Sequence, residues 1–287
     1  QSNTTADSNI AIGRNAMYAN TTGTRNLAIG ATAYDASDTE NDNIAIGFGA
    51  MTVNTAGGTT NVALGNYALD ALTSGDNNIG IGHTALGATN SGEGNVGIGT
   101  GAAVANTTGS HNIAIGAAAM DANTTGAQNV AIGYDALGAN ISGPYQTAVG
   151  VYSLKLTTTG EGNQAFGYAA GSAVTDGENN TFVGRSAGDS ITTANTNTMI
   201  GHYAGHNTTV GGSNTCVGNY ARTGGVDTVN SIVLGDNMYG ESNDFAFGKA
   251  SNVVTCDFDA DADFARSSDI RLKDNIESTE VGLDFIN

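Results

Sequence analysis

A five-residue pattern, Asn-apolar-small-apolar-Gly, recurs along nearly all of the 287-residue chain. It first occurs at residues 9–13 as Asn-Ile-Ala-Ile-Gly, and the next copy begins at Asn26. Twelve of the thirteen gaps between successive closing glycines are 17 residues and one is 18. A repeat of fixed length indicates an array of identical supersecondary units, so this period dominates the choice of fold. The closing glycines are Gly13, Gly30, Gly47, Gly65, Gly82, Gly99, Gly116, Gly133, Gly150, Gly167, Gly184, Gly201, Gly218 and Gly235, and a last Gly248 follows after 13 residues.

Each repeat contains the signals of one solenoid coil. The apolar residues one and three positions before the glycine share one face of a strand. A second apolar pair, such as Ala16-Met17, follows the glycine, and a turn such as Asn-Thr-Thr-Gly at residues 20–23 follows that pair. The sequence therefore predicts strand, turn, strand, turn: an all-β, parallel β-solenoid of about fourteen coils. At the usual strand spacing the rod would be roughly 65 Å long.

The position before each glycine is apolar in every coil, which predicts a continuous buried column. Asn stands four before the glycine in twelve of the fourteen coils, with Gln146 and Ser231 as the exceptions. Either a ladder of stacked amides or the general suitability of Asn for turns explains this column, and both can apply. The predicted buried column is Ile12, Ile29, Ile46, Leu64, Ile81, Ile98, Ile115, Ile132, Val149, Phe166, Val183, Ile200, Val217 and Leu234.

A three-faced hexapeptide solenoid is the nearest alternative, with about 18 residues per coil. It would place three apolar signals in each coil, about six residues apart. This chain has two, which favours a flattened, two-faced roll.

The repeat changes character near its only proline, Pro144. From Thr147 onward the position three before the glycine becomes polar, while the middle strand position grows to Phe182 and Met199. Because neighbouring strand positions face opposite sides, we interpret this as bulk moving to the outer face, where other copies of the chain would cover it. The prediction is a homotrimer, with a monomer of varied core as the alternative. We divide the chain into coils at 1–144, coils with altered inter-chain packing at 145–248, an acidic strand connector at 249–267 and a last segment at 268–287.

Composition excludes several classes of function. Of the titratable residues 27 are Asp or Glu and 9 are Lys or Arg, a formal charge of −18, which argues against nucleic acid and anionic membranes as partners. No apolar run is long enough to span a bilayer. The start has no signal-peptide pattern and lies within the repeat, so we expect a fragment of a longer protein. Two cysteines, Cys216 and Cys256, do not form a disulfide framework.

The Asn-x-Ala-Ile-Gly copies, with Gly-x-x-Ala between them, resemble the head repeats of trimeric autotransporter adhesins and of phage tail-fibre proteins. The resemblance covers roughly residues 9–248. It implies a left-handed parallel β-roll with three chains per rod.

Residues 267–276, Ser-Ser-Asp-Ile-Arg-Leu-Lys-Asp-Asn-Ile, resemble the start of the peptidase S74 intramolecular chaperone domain that ends many phage tail fibres. The resemblance implies that Ser268 is the nucleophile, Lys273 its base and Ser268-Asp269 the bond that the domain cleaves in itself. Residues 282–286 would continue the first helix of that domain. The domain is longer than the residues present, so we expect no autocleavage in this chain. A helix N-cap at Ser268 or Asp269 is the structural alternative.

Three other groups of residues are weaker candidates. Asp257, Asp259, Asp261 and Asp263 would share one strand face, where a solvated acidic surface is favoured over a calcium site. His83 and His202 share a variable position after the glycine, whereas His111 and His206 do not, and solvent exposure is favoured over a metal on a threefold axis. Asn3, Asn20, Asn106 and Asn123 lie in Asn-x-Thr sequons that turn geometry explains better than glycosylation.

The sequence thus predicts a structural, non-enzymatic rod with no cofactor and no metal. Its predicted location is the virion, in a tail fibre that supports host attachment. Its predicted partners are two further copies, other tail or fibre proteins, and a host receptor or glycan. The alternative is the head of a bacterial trimeric adhesin on the outer surface.

Overall fold

A computed structural model of the chain describes residues 5–54, 57–258 and 265–266, and the regular secondary structure of these ranges is entirely β-strand. The strands are β1 (Ile10–Ile12), β2 (Leu27–Ile29), β3 (Ile44–Ile46), β4 (Val62–Leu64), β5 (Ile79–Ile81), β6 (Val96–Ile98), β7 (Ile113–Ile115), β8 (Val130–Ile132), β9 (Thr147–Val149), β10 (Gln164–Phe166), β11 (Thr181–Val183), β12 (Thr198–Ile200), β13 (Thr215–Val217), β14 (Arg222–Thr223), β15 (Ile232–Asp236), β16 (Tyr239–Gly240), β17 (Asp244–Lys249), β18 (Asn252–Asp257) and β19 (Ala265–Arg266).

The strands stack as rungs of one solenoid. From β1 to β13 each strand pairs with the next, parallel and in register, and Ile29 lies beside Ile46. The ladder continues through β15 and β17, where Gly235 pairs with Gly248 although only 13 residues separate them. The predicted parallel β-solenoid of about fourteen 17-residue coils is confirmed, and the sheet crosses residue 145 without a change of register.

The Asn column forms a ladder along the inside edge of the sheet. The side-chain Oδ1 of Asn95 accepts the backbone N–H of Asn112 at 3.0 Å, and Oδ1 of Asn112 accepts that of Asn129 at 3.0 Å. Each amide also donates across its own coil, as Asn112 Nδ2 does to the carbonyl of Gly126 at 2.8 Å. Gln146 keeps the same bonding with its longer side chain. Both interpretations of this column are therefore correct, since the amides connect the coils and brace the turns.

In the first twelve coils the second segment is not a strand, and for these coils this part of the prediction was wrong; in the last two coils it forms the short strands β14 and β16. The residues two and four positions after the glycine have positive φ, as in Thr84 (55°) and Leu86 (53°). Alternating left-handed residues bend the backbone into successive turns, so an extended conformation is impossible. The segments still bond from coil to coil, for example from Leu86 N–H to the Ala102 carbonyl at 2.9 Å. We call this stack of segments the turn wall.

The strands also face the opposite way from the prediction. From β2 to β13, and at Val233 in β15 and Ala246 in β17, the residue between the two outward positions is buried, whereas all three residues of β1 are exposed. The predicted buried column is not buried: Ile115 is only partly covered and Ile132 is 37% exposed. The interior holds Ala from the strands packed against Met and Leu from the turn wall, because a 17-residue coil is too narrow for two large walls. The buried middle residues include Ala28, Ala45, Ala63, Ala114, Ala131, Ala148, Ala165, Phe182, Met199, Cys216, Val233 and Ala246.

The change of residue sizes in the second half takes place within this core, not on the outer face as predicted. Phe182 and Met199 are fully buried. They fill the space above Gly171, Gly188 and Gly205 of the turn wall, where a Cβ at Gly171 would lie 2.6 Å from the Phe182 ring. In these coils the large side chain therefore comes from the middle of the strand and the small one from the turn wall, the reverse of the first half, and the core volume stays filled.

The last rungs end the parallel ladder. β17 turns back into β18, which pairs antiparallel with it, and β19 pairs antiparallel with β18. β14 and β16 form a separate two-stranded sheet. The predicted connector at 249–267 therefore begins with a strand, whereas the helix predicted within 268–287 lies outside the described residues.

Candidate functional site

The most extensive candidate surface is the outward side of the sheet, formed by the first and third residues of the strands β1 to β13 and their equivalents in β15 and β17. We call it the outer strand face. None of its side chains is buried; Ile113 and Ile132 are 37% exposed and Phe166 is 44% exposed. Apolar side chains thus form a continuous line along the whole rod, whereas apolar residues on the surfaces of ordinary monomers are mostly scattered singly.

The outer strand face has two parts. In β1 to β8 both outward positions are Ile, Leu or Val. In β9 to β13 the first becomes Thr or Gln, namely Thr147, Gln164, Thr181, Thr198 and Thr215, while the third stays apolar. The division at residue 145 therefore corresponds to a narrowing of the apolar line from two columns to one.

The residues assigned by resemblance to autocleavage lie outside the described part of the chain. These are Ser268, Lys273 and the Ser268-Asp269 bond, and their roles stay predictions. Of the acidic series, Asp257 ends β18, and Asp259, Asp261 and Asp263 also lie outside the described residues.

The histidines lie among aromatic and polar side chains on the surface. The His83 ring meets the Tyr67 ring edge-on, with centroids 6.2 Å apart. His202 lies between Arg185, whose Nη1 is 3.3 Å from Nε2, and Asn219, whose Oδ1 is 3.1 Å from Nδ1. Among the described residues no three His, Cys, Asp or Glu side chains converge as metal ligands.

The sequon asparagines that the structure describes serve the turns, as expected. Asn20, Asn106 and Asn123 are buried, and each donates from Nδ2 to the carbonyl of the glycine three residues later. Asn123 also donates to Oδ1 of Asn106 at 2.9 Å. Their nitrogens point into the coil, so a glycan cannot be attached there while the chain is folded. Asn3 lies outside the described residues.

Burial raises the pKa of three kinds of titratable group: the Tyr34 phenol, one thiol and several carboxyls. Burial raises the pKa of the Cys216 thiol to about 12, so this cysteine is an unreactive core residue. Partial burial also raises the pKa of four carboxyls five positions after a coil glycine, namely Asp35, Asp70, Asp121 and Asp189. For Asp121 the neighbouring charge of Asp135 raises the pKa further. These carboxyls are therefore sensitive to pH without forming a catalytic pair.

Sequence reasoning missed a second surface. Aromatic rings occupy the two positions after the glycine in several coils, and the fold brings them together, as in Tyr134 and Tyr152 with centroids 5.5 Å apart. Aligning the coils on their glycines would have revealed these columns, but each coil alone shows only a variable residue.

Comparisons of the chain with protein-family models, with curated proteins and with solved structures find no match. Across the described ranges, no helix has the length and apolar character needed to cross a membrane. What the chain does must therefore be inferred from its own surfaces.

Proposed function

We propose that this chain is the trimeric shaft of a phage tail fibre or a related virion appendage. Three copies form a left-handed β-roll rod that carries receptor-binding elements outward and contacts other fibre proteins. Its role is structural and adhesive instead of enzymatic. Support comes from the confirmed solenoid and from the resemblance of its repeats to those of tail fibres.

The uncovered outer strand face is the observation that carries this proposal. Fully burying an exposed large apolar side chain contributes about 1.5–3 kcal/mol. The side chains of this face are already partly covered, so covering the remainder contributes a fraction of that figure at each one, and the face presents at least one in every coil. A flat strip that runs the length of a rod is best covered by an identical strip, because equal rods then match rung for rung. A threefold axis along the rods closes such an arrangement, as a twofold axis also would, and the resemblance to trimeric fibre repeats favours three copies.

The resemblance of residues 267–276 to the S74 chaperone favours the phage setting. In this proposal Ser268 and Lys273 would act as nucleophile and base only in a chain that carries the complete chaperone domain, where hydrolysis of the Ser268-Asp269 peptide bond, completed by water, would follow assembly of the rod. A serine hydroxyl needs such a base, and Lys can act as one when its surroundings lower its pKa.

The alternative function is the head of a bacterial trimeric adhesin, which would use the same outer strand face. The coding sequence downstream of residue 287 distinguishes the two. A chaperone domain there supports the fibre, whereas a coiled-coil stalk with a membrane anchor supports the adhesin.

The oligomeric state tests the proposed trimer directly. Light scattering on the purified chain should give three times the mass of 28.7 kDa. Replacing Ile98, Ile115 and Ile132 together by Ser should weaken the assembly, because these side chains lie in three successive coils of the two-column part of the outer strand face. Replacing Val53, Ile141 and Leu156 by Ser is the matched control, since these residues are at least as exposed but lie away from the strands.

A monomeric or dimeric wild-type chain would contradict the trimer. Equal loss of mass in the two triple variants would show that the outer strand face is not the interface. Circular dichroism on both variants establishes that each still folds as a β-rod.

A further inference from the structure

A line of aromatic rings runs along the rod in the second half of the chain, at the positions just after the coil glycines. The Tyr152 and Tyr168 rings follow each other edge-to-face at 6.0 Å, and Tyr203 and Tyr220 stack at 5.1 Å. Tyr134, at the lower end, and Tyr168 are each 50% exposed. We call this surface the corner stripe. It consists of Tyr134, Tyr152, Lys155, Tyr168, Arg185, His202, Tyr203, His206, Tyr220 and Arg222.

Basic side chains connect the two sets of rings. The Arg185 guanidinium lies 5.9 Å from the Tyr168 centroid and 5.7 Å from the Tyr203 centroid, so it bridges the gap between them. Lys155 Nζ lies 4.7 Å above the Tyr152 ring. Cations held against ring faces are partly pre-ordered, which lowers the entropy lost when they bind an anion.

The distribution of charge along the chain makes this cluster exceptional. The chain carries only 9 Lys and Arg residues, and none occurs from residue 26 to residue 154. Lys155, Arg185 and Arg222 all lie in the corner stripe, together with His202 and His206. Lys155 is paired with Asp135 at 3.0 Å, whereas across the described ranges no carboxylate lies within ion-pair distance of Arg185 or Arg222.

A cleft opens beside the lower rings. It has a volume of about 360 Å³ and is lined by Tyr152, Lys155, Leu156, Ala169, Ser172 and Ala173. A ring, a cation and a hydroxyl thus surround one space, which suits a ligand with an apolar face, hydroxyl groups and a negative charge.

We propose that the corner stripe binds an acidic polysaccharide, a chain of sugars that carries carboxylates. Sugar rings present C–H groups that pack on exposed tyrosine faces, and guanidinium groups pair with carboxylates through two parallel hydrogen bonds. Nucleic acid fits less well, because a rod of charge −18 with three local cations cannot offset one phosphate charge per 1.7 Å. This inference specifies the ligand class for the host-attachment part of the proposed function.

Fluorescence anisotropy with a labelled alginate oligomer, which is a polymer of uronic acids, tests the inference. The wild-type chain should bind it, and added salt should weaken the binding. The variant Arg185→Ala/Tyr203→Ala should lower the affinity at least tenfold. The matched control is Phe48→Ala/Tyr67→Ala, an edge-to-face pair at 5.3 Å in the same coil positions with no Lys or Arg nearby in sequence, and it should bind as the wild type does.

Four outcomes would overturn the inference: no binding of alginate, equal binding of neutral dextran, equal binding of polyglutamate, or equal losses in the two double variants. Light scattering on the same samples adds a fifth. If Arg185→Ala/Tyr203→Ala dissociates the assembly, the corner stripe is a contact between chains and not a glycan site. A wild-type chain that binds alginate as a monomer would instead contradict only the trimer.

Discussion

The glycine that ends each strand is fixed by two separate constraints. Gly116 has φ of +138°, a conformation that residues with a Cβ rarely adopt. A Cβ at this position would also collide with the carbonyl group of Gly133 in the next coil. The second constraint comes from stacking, so it applies in every coil and explains why this position does not vary.

We therefore predict that Gly116→Ala strongly destabilises the rod. The backbone conformation alone costs about 1–3 kcal/mol, and the collision forces adjacent rungs apart. Thermal unfolding followed by circular dichroism measures the effect.

Gly101→Ala is the matched control for that variant. Gly101 has a φ of +66° with open space around it, and its equivalents Thr84 and Ala118 adopt the same conformation with a side chain. Its melting temperature should stay near that of the wild type. Equal melting temperatures for the two variants would contradict the importance of the stacking contact.

At the scale of the coil, the two core walls compensate for each other in size. Where the strand has Gly97, the turn wall has Leu86, and a Cβ on Gly97 would lie 2.8 Å from the Leu86 side chain. Where the strand has Phe182, the turn wall has Gly171 and Gly188. The side-chain size that fits at a core position therefore depends on the residue that faces it from the other wall.

A double-mutant cycle tests this compensation. Phe182→Ala should cost about 3–5 kcal/mol through the cavity that it leaves. Gly171→Leu alone should cost about 1–3 kcal/mol or more through overpacking against Phe182. The double variant has Ala in the strand and Leu in the turn wall, as the preceding coils do. Leu154 in one of those coils has a positive φ similar to that of Gly171.

The double variant should therefore be more stable than the sum of the single losses predicts, with a coupling of about 0.5–3 kcal/mol. Denaturant unfolding of the four proteins measures the coupling. Strict additivity would show that the two walls do not pack against each other.

The same pairs explain which parts of the coil could be predicted from sequence. The 17-residue period fixed the stacking and the register, because both depend only on the spacing of the glycines. The Ile-Ala-Ile alternation indicates which residues share a face but not which face is inside. Assigning the larger residues to the core was wrong here, because the opposite wall already supplies Met and Leu.

The turn wall could not have been recognised from residue types. Positive φ at Leu86, Leu137 and Tyr152 is unusual for large side chains, and hydrogen bonds to neighbouring coils impose it. The corner stripe depends on residues that are about 17 positions apart, so it exists only once the coils are stacked.

At the scale of the molecule, the excess of carboxylates sets the response to pH. The chain has 27 Asp and Glu residues, and four partly buried ones, Asp35, Asp70, Asp121 and Asp189, have a raised pKa because burial disfavours their charge. A carboxyl with a raised pKa binds a proton more readily in the folded chain than in the unfolded chain. Folding is therefore favoured further as the pH falls from 7 toward the ordinary Asp value. Hydrogen bonds lower the pKa of Asp42 and Asp176, so these two carboxyls stabilise the fold in their charged form. That stabilisation is lost only when the pH falls below the ordinary Asp value.

We predict that the melting temperature rises as the pH is lowered from 7 toward the ordinary Asp pKa of about 4, unlike that of proteins stabilised by ionised carboxylates. Replacing Asp70, Asp121 and Asp189 together by Asn should raise the melting temperature at pH 7 and flatten its dependence on pH.

The control replaces three exposed carboxylates, Glu93 and Glu161 by Gln and Asp227 by Asn, and removes the same charge. If the two triple variants respond alike, net charge explains the effect and the partly buried carboxyls do not. A melting temperature that falls steadily from pH 7 to about pH 4 would contradict the prediction, because it would require carboxylates that the fold stabilises in their charged form.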